Sequence, residues 1–201
     1  MNTINTEHLG QASYLSLLRS SIGLTIVSLG LCGFLYSATM TGLGQILFPD
    51  QANGSLIELD GKVLGSRLVA QPFTDAKYFQ SRPSAVNYDP MVMAGSNLAR
   101  TNPELTKIIE QRIADIQVKD QVDRGQIPSD LVTASGSGID PEISLKSAMI
   151  QVKRVAEVRH LAEQQVLELI QQYTLKPTFR MLGKERINVL ELNLALDLIK
   201  E

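Results

Sequence analysis

The feature that most constrains this chain is a stretch without charge, because no Asp, Glu, Lys or Arg lies between Arg19 and Asp50. Within it, residues 22–47 are mostly Leu, Ile, Val, Phe, Ala and Gly. A helix of about 20 apolar residues crosses a bilayer, and a helix satisfies its own backbone polar groups in lipid. We therefore predict a transmembrane helix over residues 21–47, preceded by an N-terminal tail over residues 1–20.

A cleaved signal peptide is the alternative interpretation of this stretch. Such peptides have an apolar region of about 7–15 residues after a basic start. Here the start carries Arg19 as its one basic residue, and the apolar region is longer. Gly42 and Gly44 match a cleavage site only weakly, so the pattern favours an uncleaved anchor.

The rest of the chain, residues 50–201, has the size of one soluble domain. Of the 19 Lys and Arg only Arg19 precedes it, and of the 21 Asp and Glu only Glu7 does. The resulting slight acidic excess argues against a nucleic-acid binder, which needs a basic stripe, and against a polybasic lipid-binding patch. Arg19 borders the span, whereas Lys62 is the first basic residue beyond it. Because basic residues favour the cytoplasmic side, the soluble domain is predicted to lie outside the cytoplasm.

Small residues recur along the predicted span. Gly23, Gly30 and Ser37 are seven residues apart, and Gly33 lies on nearly the same face. Small residues at helical spacing let another membrane helix approach closely, although glycine is in any case common in such helices. The repeated spacing favours a helix-packing face.

The pattern of the soluble part predicts an α+β domain with a small hairpin or sheet and about three helices. Asp60-Gly61 between two apolar runs, residues 55–59 and 62–69, is a strong hairpin signal. Asn102 or Thr101 followed by Pro103 predicts a helix start. A second helical pattern runs over seven turns from residue 145 to residue 170, and a third begins after Asn188.

Residues 80–101 show no periodicity, and a loop of that length in a compact domain is often functional. We expect Arg82 and Asn97 in this loop to contribute to a partner interface, although a loop arginine usually forms no more than a salt bridge. On the long helix, Gln151 suits a buried hydrogen bond beside the apolar stripe. Lys153 and Arg154 with Glu157 suit a solvated charged face.

No catalytic or metal site is predicted. The histidines are His8 and His160, and the single cysteine is Cys32 in the span, so a His/Cys metal site cannot be assembled in the domain. No phosphate-binding Gly-x-x-x-x-Gly-Lys-Ser/Thr run is present. The Gly/Ser-rich residues 133–141 suit either an anion-binding nest or a tight turn with Asp140 as a cap, and composition favours the turn.

Six ordered motifs resemble the KdpC family, the accessory subunits of bacterial potassium-transporting P-type ATPases. The resemblance covers the soluble domain, and each motif is weak alone but the order is specific. They are Gly65-Ser66 with Gln71-Pro72-Phe73; Tyr78-Phe79 with Arg82-Pro83-Ser84-Ala85; Gly95-Ser96-Asn97-Leu98 with Thr101-Asn102-Pro103; Asp130-Leu131-Val132 running on through residues 133–141; Gln151 with Arg154-Val155-Ala156; and Asn188-Val189-Leu190-Glu191-Leu192-Asn193 with Ala195-Leu196-Asp197.

The resemblance implies a single-pass protein of the bacterial inner membrane that works with KdpA, KdpB and KdpF subunits. The chain would have no cofactor of its own and no independent small-molecule substrate. Potassium would be selected by KdpA, and ATP would be hydrolysed by KdpB through a phospho-aspartate. The resemblance also implies nucleotide contacts at Gln151 and at Ser135, Gly136, Ser137 and Gly138.

Two functions follow from the resemblance. In the first, the chain is a non-catalytic subunit that assembles or stabilises the complex and gates ion entry from outside. In the alternative, it is a catalytic chaperone that raises the ATP affinity of KdpB through a transient complex of KdpB, KdpC and ATP. The two functions require opposite sides of the membrane, because ATP is cytoplasmic, and the residues favour the first. A free-standing enzyme is not indicated.

Overall fold

The computed structural model describes residues 13–59 and 61–199, so most of the predicted tail and Asp60 of the predicted turn lie outside the described residues. The chain divides between Asn53 and Gly54 into two compact units. Each unit is described by itself.

The first unit is one long apolar helix. It comprises α1 (Tyr14–Ser28), a π-helical stretch (Leu29–Tyr36) and α2 (Ser37–Leu47). Backbone angles at both junctions are α-helical, with φ and ψ of −63° and −43° at Ser28 and −62° and −45° at Ser37, so the three pieces form one continuous helix. The helix Tyr14–Leu47 is 34 residues long and contains an 18-residue stretch with a mean hydropathy of 1.7, so it is long and apolar enough to cross a membrane. The helix begins before residue 21, and a short helix α3 (Pro49–Ala52) follows it.

The second unit opens with the predicted hairpin. Strands β1 (Leu56–Leu59) and β2 (Lys62–Ser66) pair antiparallel, and their register shifts between Ile57 and Glu58. Gly61 at the turn has φ +73°, a backbone conformation that glycine adopts at little cost. The hairpin prediction is confirmed.

Helix α4 (Pro103–Asp120) begins where its capping residues predict. The Asn102 side chain accepts a hydrogen bond from the Glu104 amide at 2.9 Å, and Pro103 occupies the first turn. The helix ends at Gln121, whose φ of +53° is left-handed. The helix start predicted from Asn102 and Pro103 is confirmed.

The predicted long helix is wrong, because three shorter helices replace it: α5 (Leu145–Met149), α6 (Val152–Val158) and α7 (Glu163–Tyr173). After α6, the Leu161 amide donates to the Ala156 carbonyl at 2.9 Å, and the His160 amide donates to the Glu157 carbonyl at 3.3 Å. His160 has φ +55°. These two bonds and this angle define a Schellman motif. Glycine usually occupies the left-handed position of this motif. Because His160 occupies it here, the sequence pattern gave no signal that α6 ends.

A second small sheet was not predicted. Strands β3 (Glu142–Ser144), β4 (Thr174–Leu175) and β5 (Arg186–Asn188) pair antiparallel in the order β3-β5-β4. Each has only two or three residues, too few to show an alternating pattern. Two small sheets with several helices confirm the α+β class.

Helix α8 (Val189–Asp197) closes the domain as predicted. The Asn188 side chain caps it by accepting from the Glu191 amide at 3.1 Å. The core lies between α5, α6, α7, α8 and the second sheet. It is formed by buried apolar side chains, of which the largest are Phe79, Ile143, Ile170, Ile187, Leu192 and Leu196.

Candidate functional site

The centre of the domain is an irregular stretch, residues 76–80, whose main chain is held by buried polar side chains. We call it the clamped segment. Asn193 accepts from the Phe79 amide at 2.8 Å and donates to the Phe79 carbonyl at 2.9 Å. Gln151 binds the Gln80 amide and carbonyl in the same way, at 2.8 and 3.4 Å. Both side chains are 1% exposed. Their two amide groups satisfy the main-chain hydrogen bonds that a neighbouring strand would satisfy in a sheet.

Arg154 holds the first half of the clamped segment. Its Nη1 donates to the carbonyls of Ala76 and Tyr78, the latter at 2.9 Å. Its Nε donates to Asp120 Oδ1 at 2.7 Å, and its Nη2 donates to Gln151 Oε1 at 2.7 Å. Because the ion pair with Asp120 is buried and the guanidinium donates four hydrogen bonds, it fixes the geometry of the clamp.

Arg159 binds the outer side of the clamped segment. Its Nε donates to the Lys77 carbonyl at 2.8 Å, and its guanidinium lies 5.0 Å from the centre of the Tyr78 ring. Asp197 accepts from both Arg159 and the Tyr78 hydroxyl, at 2.6 and 2.9 Å. Partial burial, and then the bond to Asp197, raise the pKa of Tyr78.

The predicted solvated face on α6 is half wrong. Lys153 and Glu157 are exposed and lie 4.0 Å apart, as predicted. Arg154 is 7% exposed, because it binds Asp120 at the end of α4 and the Tyr78 carbonyl of the clamped segment. Asp120, Arg159 and Asn193 were not singled out from the sequence. Of these three, only Asn193 could have been recognised from the sequence, because it is a polar residue within the apolar pattern of α8.

The loop that follows, residues 81–100, is ordered by its own side chains. Ser84 Oγ accepts from the amides of Val86 and Tyr88 at 3.0 and 2.9 Å. The Tyr88 hydroxyl donates to the Arg82 carbonyl at 2.8 Å, and burial raises the pKa of that hydroxyl. Asn87 and Tyr88 have φ of +52° and +60°, so the loop is fixed in an uncommon conformation.

The Gly/Ser-rich stretch is a tight turn packed against this loop. Ser135 Oγ accepts from the Gly138 amide at 2.9 Å, and Ser137 Oγ accepts from the Ile139 amide at 3.2 Å. Gly138 has φ +75°, and a Cβ there would lie 2.5 Å from Val86 Cγ2. Glycine is therefore required both by the turn and by the close approach of the loop.

The two predicted interface residues have different surroundings. Arg82 Nη1 donates to Asp140 Oδ2 at 2.7 Å, and its Nε is buried without a hydrogen-bond partner among the described residues. Asp140 also accepts from the Glu142 amide at 3.1 Å. Asn97 is exposed with φ +53°. The salt bridge therefore ties the loop to the Gly/Ser turn, while Asn97 is open to solvent.

One predicted nucleotide contact, Gln151, lies beside a small cavity. Gln151 lines a cavity of about 210 Å³ together with Gln80, Tyr88, Arg112 and Leu131. Ligand pockets usually measure about 300–1,000 Å³. The Gln151 side chain also donates to the Ser147 carbonyl at 3.0 Å, so both amide hydrogens and both oxygen lone pairs have partners within the chain. A nucleotide contact of Gln151 stays a prediction, and it would require these bonds to break.

The predicted helix-packing residues are open in the described chain. A Cβ added at Gly23, Gly30 or Gly33 would meet no neighbouring atom within 4 Å, and the Ser37 hydroxyl donates to the Cys32 carbonyl at 3.5 Å. Helix packing through these residues stays a prediction. Among the described residues no cluster of His, Cys, Asp and Glu could hold a metal ion.

Comparison with known proteins identifies the family. A family model described as "KdpC: K+-transporting ATPase, c chain" matches residues 18–198. Proteins named "Potassium-transporting ATPase KdpC subunit" are similar over most of their length. The one from Xanthomonas campestris pv. campestris (strain B100) is 52% identical over 180 residues, covering 89% of this chain and 86% of that protein. The one from Shewanella putrefaciens (strain CN-32 / ATCC BAA-453) is 49% identical over 182 residues, covering 90% and 89%.

A third relative extends the match to a whole protein. The subunit of the same name from Serratia proteamaculans (strain 568) is 47% identical over 189 residues, covering 92% of this chain and 100% of that protein. The match includes both the apolar helix and the domain that carries the clamped segment. The resemblance drawn from the six motifs is confirmed, and this chain belongs to the KdpC family.

Proposed function

We propose that the chain is a membrane-anchored accessory subunit of an ATP-driven potassium uptake complex, and that it stabilises the complex by binding a partner subunit through the tip of the loop over residues 81–100. The name shared by its relatives supports a place in such a complex. The helix Tyr14–Leu47 supplies the anchor. Potassium selection and ATP hydrolysis belong to KdpA and KdpB in this proposal, with KdpF as a further partner.

One observation carries the proposal: an exposed apolar tip on an ordered loop. Met91, Val92 and Met93 are 87%, 56% and 62% exposed. Contiguous apolar surface of this kind marks interaction sites, and methionine side chains adapt to varied partner surfaces. We call these three residues the Met tip.

The Met tip is held in place before any partner binds. The Asp89 carboxylate accepts from the Met91 amide at 2.8 Å, and the Asp89 amide donates to the Val86 carbonyl at 3.1 Å. Farther back, Ser84 stabilises the loop from within, and the Arg82–Asp140 ion pair fixes the loop to the domain. A preordered loop loses little conformational entropy on binding, which suits a lasting subunit contact.

The test is to purify the complex through a tag on another subunit. Replacing Met91 and Met93 together by Asp places two charges in the proposed contact, and we expect the amount of this chain recovered to fall several-fold. The matched control is Val118→Asp, which alters a side chain that is 83% exposed on α4. Recovery equal to that of the control would exclude the Met tip from the interface, provided circular dichroism shows both variants folded.

We propose further that Gly23, Gly30, Gly33 and Ser37 pack against a membrane helix of a partner. Gly30→Leu would hold that helix away and lower co-purification. Gly42→Leu is the matched control, since Gly42 also has empty space around it and lies beyond the repeated small residues at positions 23–37. Equal recovery of the two variants would argue against a specific face.

We place the domain outside the cytoplasm, where it would act at the ion-entry side of KdpA. The charge asymmetry around the helix supports this side, with Arg19 before the span and Lys62 as the first basic residue after it. A role in raising ATP affinity requires the opposite side. It would also require Gln151 to give up its bonds within the clamp.

A further inference from the structure

A second exposed apolar tip lies between β4 and β5, and it differs in charge from the Met tip. Residues 176–184 fold back on themselves, with Thr178 and Leu182 exchanging two backbone hydrogen bonds of 2.9 Å each. We call these residues the basic tip. We propose that the basic tip inserts its apolar side chains into the surface of a lipid bilayer that contains anionic headgroups.

The basic tip exposes large apolar side chains that contribute nothing to the domain core. Phe179, Met181 and Leu182 are 83%, 78% and 60% exposed. Amphipathic segments that lie in a membrane interface carry such side chains beside basic ones. Aromatic rings in particular favour the headgroup level of a bilayer.

The turn that exposes these side chains has an unfavourable backbone conformation. Phe179 and Arg180 have φ of +52° and +62°, and the Met181 amide donates to the Thr178 carbonyl at 3.2 Å. Two successive left-handed residues in a tight turn usually include Gly or Asn, and a bulky residue with positive φ is an outlier. Because the exposed Phe179 ring gains no core contact in return, the turn is suited to contact something outside the chain.

The charge of the basic tip selects the membrane over a second protein. Lys176, Arg180 and Lys184 are all exposed, and residues 176–184 contain no Asp or Glu. None of the three cations forms an ion pair among the described residues. The Met tip, in contrast, lies in a stretch with no Lys or Arg from residue 83 to residue 99. Anionic headgroups attract each Lys or Arg that lies near the membrane surface, so the three cations add to the insertion of the three apolar side chains.

The chain itself tethers the domain to the predicted membrane anchor. The apolar helix ends at Leu47 and the domain begins at Gly54, so a short connection tethers the domain and raises the effective concentration of lipid around it. The inference rests on the proposed function only through this anchor. A tethered tip needs little affinity of its own for the membrane. Three cations are therefore enough here, whereas a free-standing polybasic segment has about four to eight.

The chain contains no tryptophan, so one substitution introduces a unique fluorophore. Phe179→Trp in the full chain would be placed in nanodiscs of phosphatidylcholine and phosphatidylglycerol, with bromine on the acyl chains as a quencher. Val118→Trp is the matched control, because Val118 and Phe179 are both 83% exposed. We expect quenching in Phe179→Trp to be several-fold stronger than in Val118→Trp, and to be weaker in phosphatidylcholine alone.

Two further measurements separate the possible failures. Leu31→Trp reports the anchor: quenching there with none in Phe179→Trp would overturn the basic tip while leaving the anchor intact, whereas no quenching in Leu31→Trp would overturn the anchor and with it the membrane contact of the tip. A Phe179→Trp emission that stays unquenched in nanodiscs but shifts to the blue in the assembled complex would show that the tip binds a protein, and would also overturn the proposal.

Discussion

At the scale of single residues, the domain is organised by buried polar side chains, one of which, Arg154, the sequence pattern places on a surface. Arg154 joins the end of α4, the clamped segment and Gln151. Its burial could not be predicted, because Asp120 is 34 residues away along the chain and nothing near either residue marks them as partners. Gln151 was predicted to form a buried hydrogen bond, and that prediction is confirmed.

Removing Asp120 tests how much the domain depends on the clamp. Asp120→Ala leaves the Arg154 charge buried without its partner, and breaking a buried pair in this way costs about 3–5 kcal/mol. We expect a loss of that size in urea unfolding of the chain in detergent, followed by circular dichroism. Glu110→Ala is the control, since Glu110 pairs with Arg124 at 2.6 Å on the exposed surface. Equal losses in the two variants would contradict a central role for the buried pair.

Tyr88 predicts how stability changes in alkaline solution. Burial raises the pKa of its hydroxyl above the ordinary value of 10.0, so the folded chain retains a proton that the unfolded chain has lost. The resulting stabilisation is complete below pH 10.0 and is lost as pH rises through the folded pKa. Tyr88→Phe should make the unfolding free energy fall less steeply over that window. Identical slopes in the variant and the parent would contradict the assignment.

At the scale of elements, predictions succeeded where a local signal fixes a boundary. Asn102 and Asn188 both cap helices through their own side chains, and Gly61 marks the hairpin turn. The break between α6 and α7 was missed because its left-handed residue is His160. The apolar residues on both sides of the break keep helical spacing, so periodicity alone predicted one helix where the structure has two.

His160 therefore offers a stabilising substitution. Glycine tolerates the left-handed backbone that costs other residues about 1–2 kcal/mol, although it also makes the unfolded chain more flexible. We expect His160→Gly to raise the unfolding free energy by about 0.5 kcal/mol after both effects. His160→Ala removes the ring but keeps the backbone cost, so it should give no gain. A gain in both variants would point to the imidazole instead.

At the scale of the whole molecule, the apolar helix and the domain class were predictable and the proposed contact surfaces were not. Thirty successive residues without charge can be recognised from the sequence alone, because this pattern does not depend on contacts between distant residues. The Met tip and the basic tip are defined by exposure, which short apolar runs do not reveal, since such runs are equally typical of buried strands. The clamped segment depends on contacts between residues that are far apart in the sequence. Gln80 and Gln151 are separated by 71 positions, and Phe79 and Asn193 by 114, so no local pattern reveals these contacts.

The side of the membrane on which the domain lies decides between the two functions of the family resemblance. Cys32→Ser with Ser137→Cys gives one exposed thiol, because Ser137 is exposed on the Gly/Ser turn. We expect a membrane-impermeant maleimide to label this thiol in intact cells. Labelling only after lysis would place the domain in the cytoplasm and would make nucleotide contact by Gln151 the leading hypothesis.

The clamped segment has a consequence for amide hydrogen exchange. Phe79 and Gln80 belong to no strand or helix, yet their amides donate to the buried side chains of Asn193 and Gln151. Exchange at either site requires Gln151, just before α6, or Asn193 on α8 to separate from the segment, which amounts to opening the core. These two amides should therefore exchange as slowly as the most protected helical amides, so that the slowest-exchanging unit of the domain includes a piece of irregular chain.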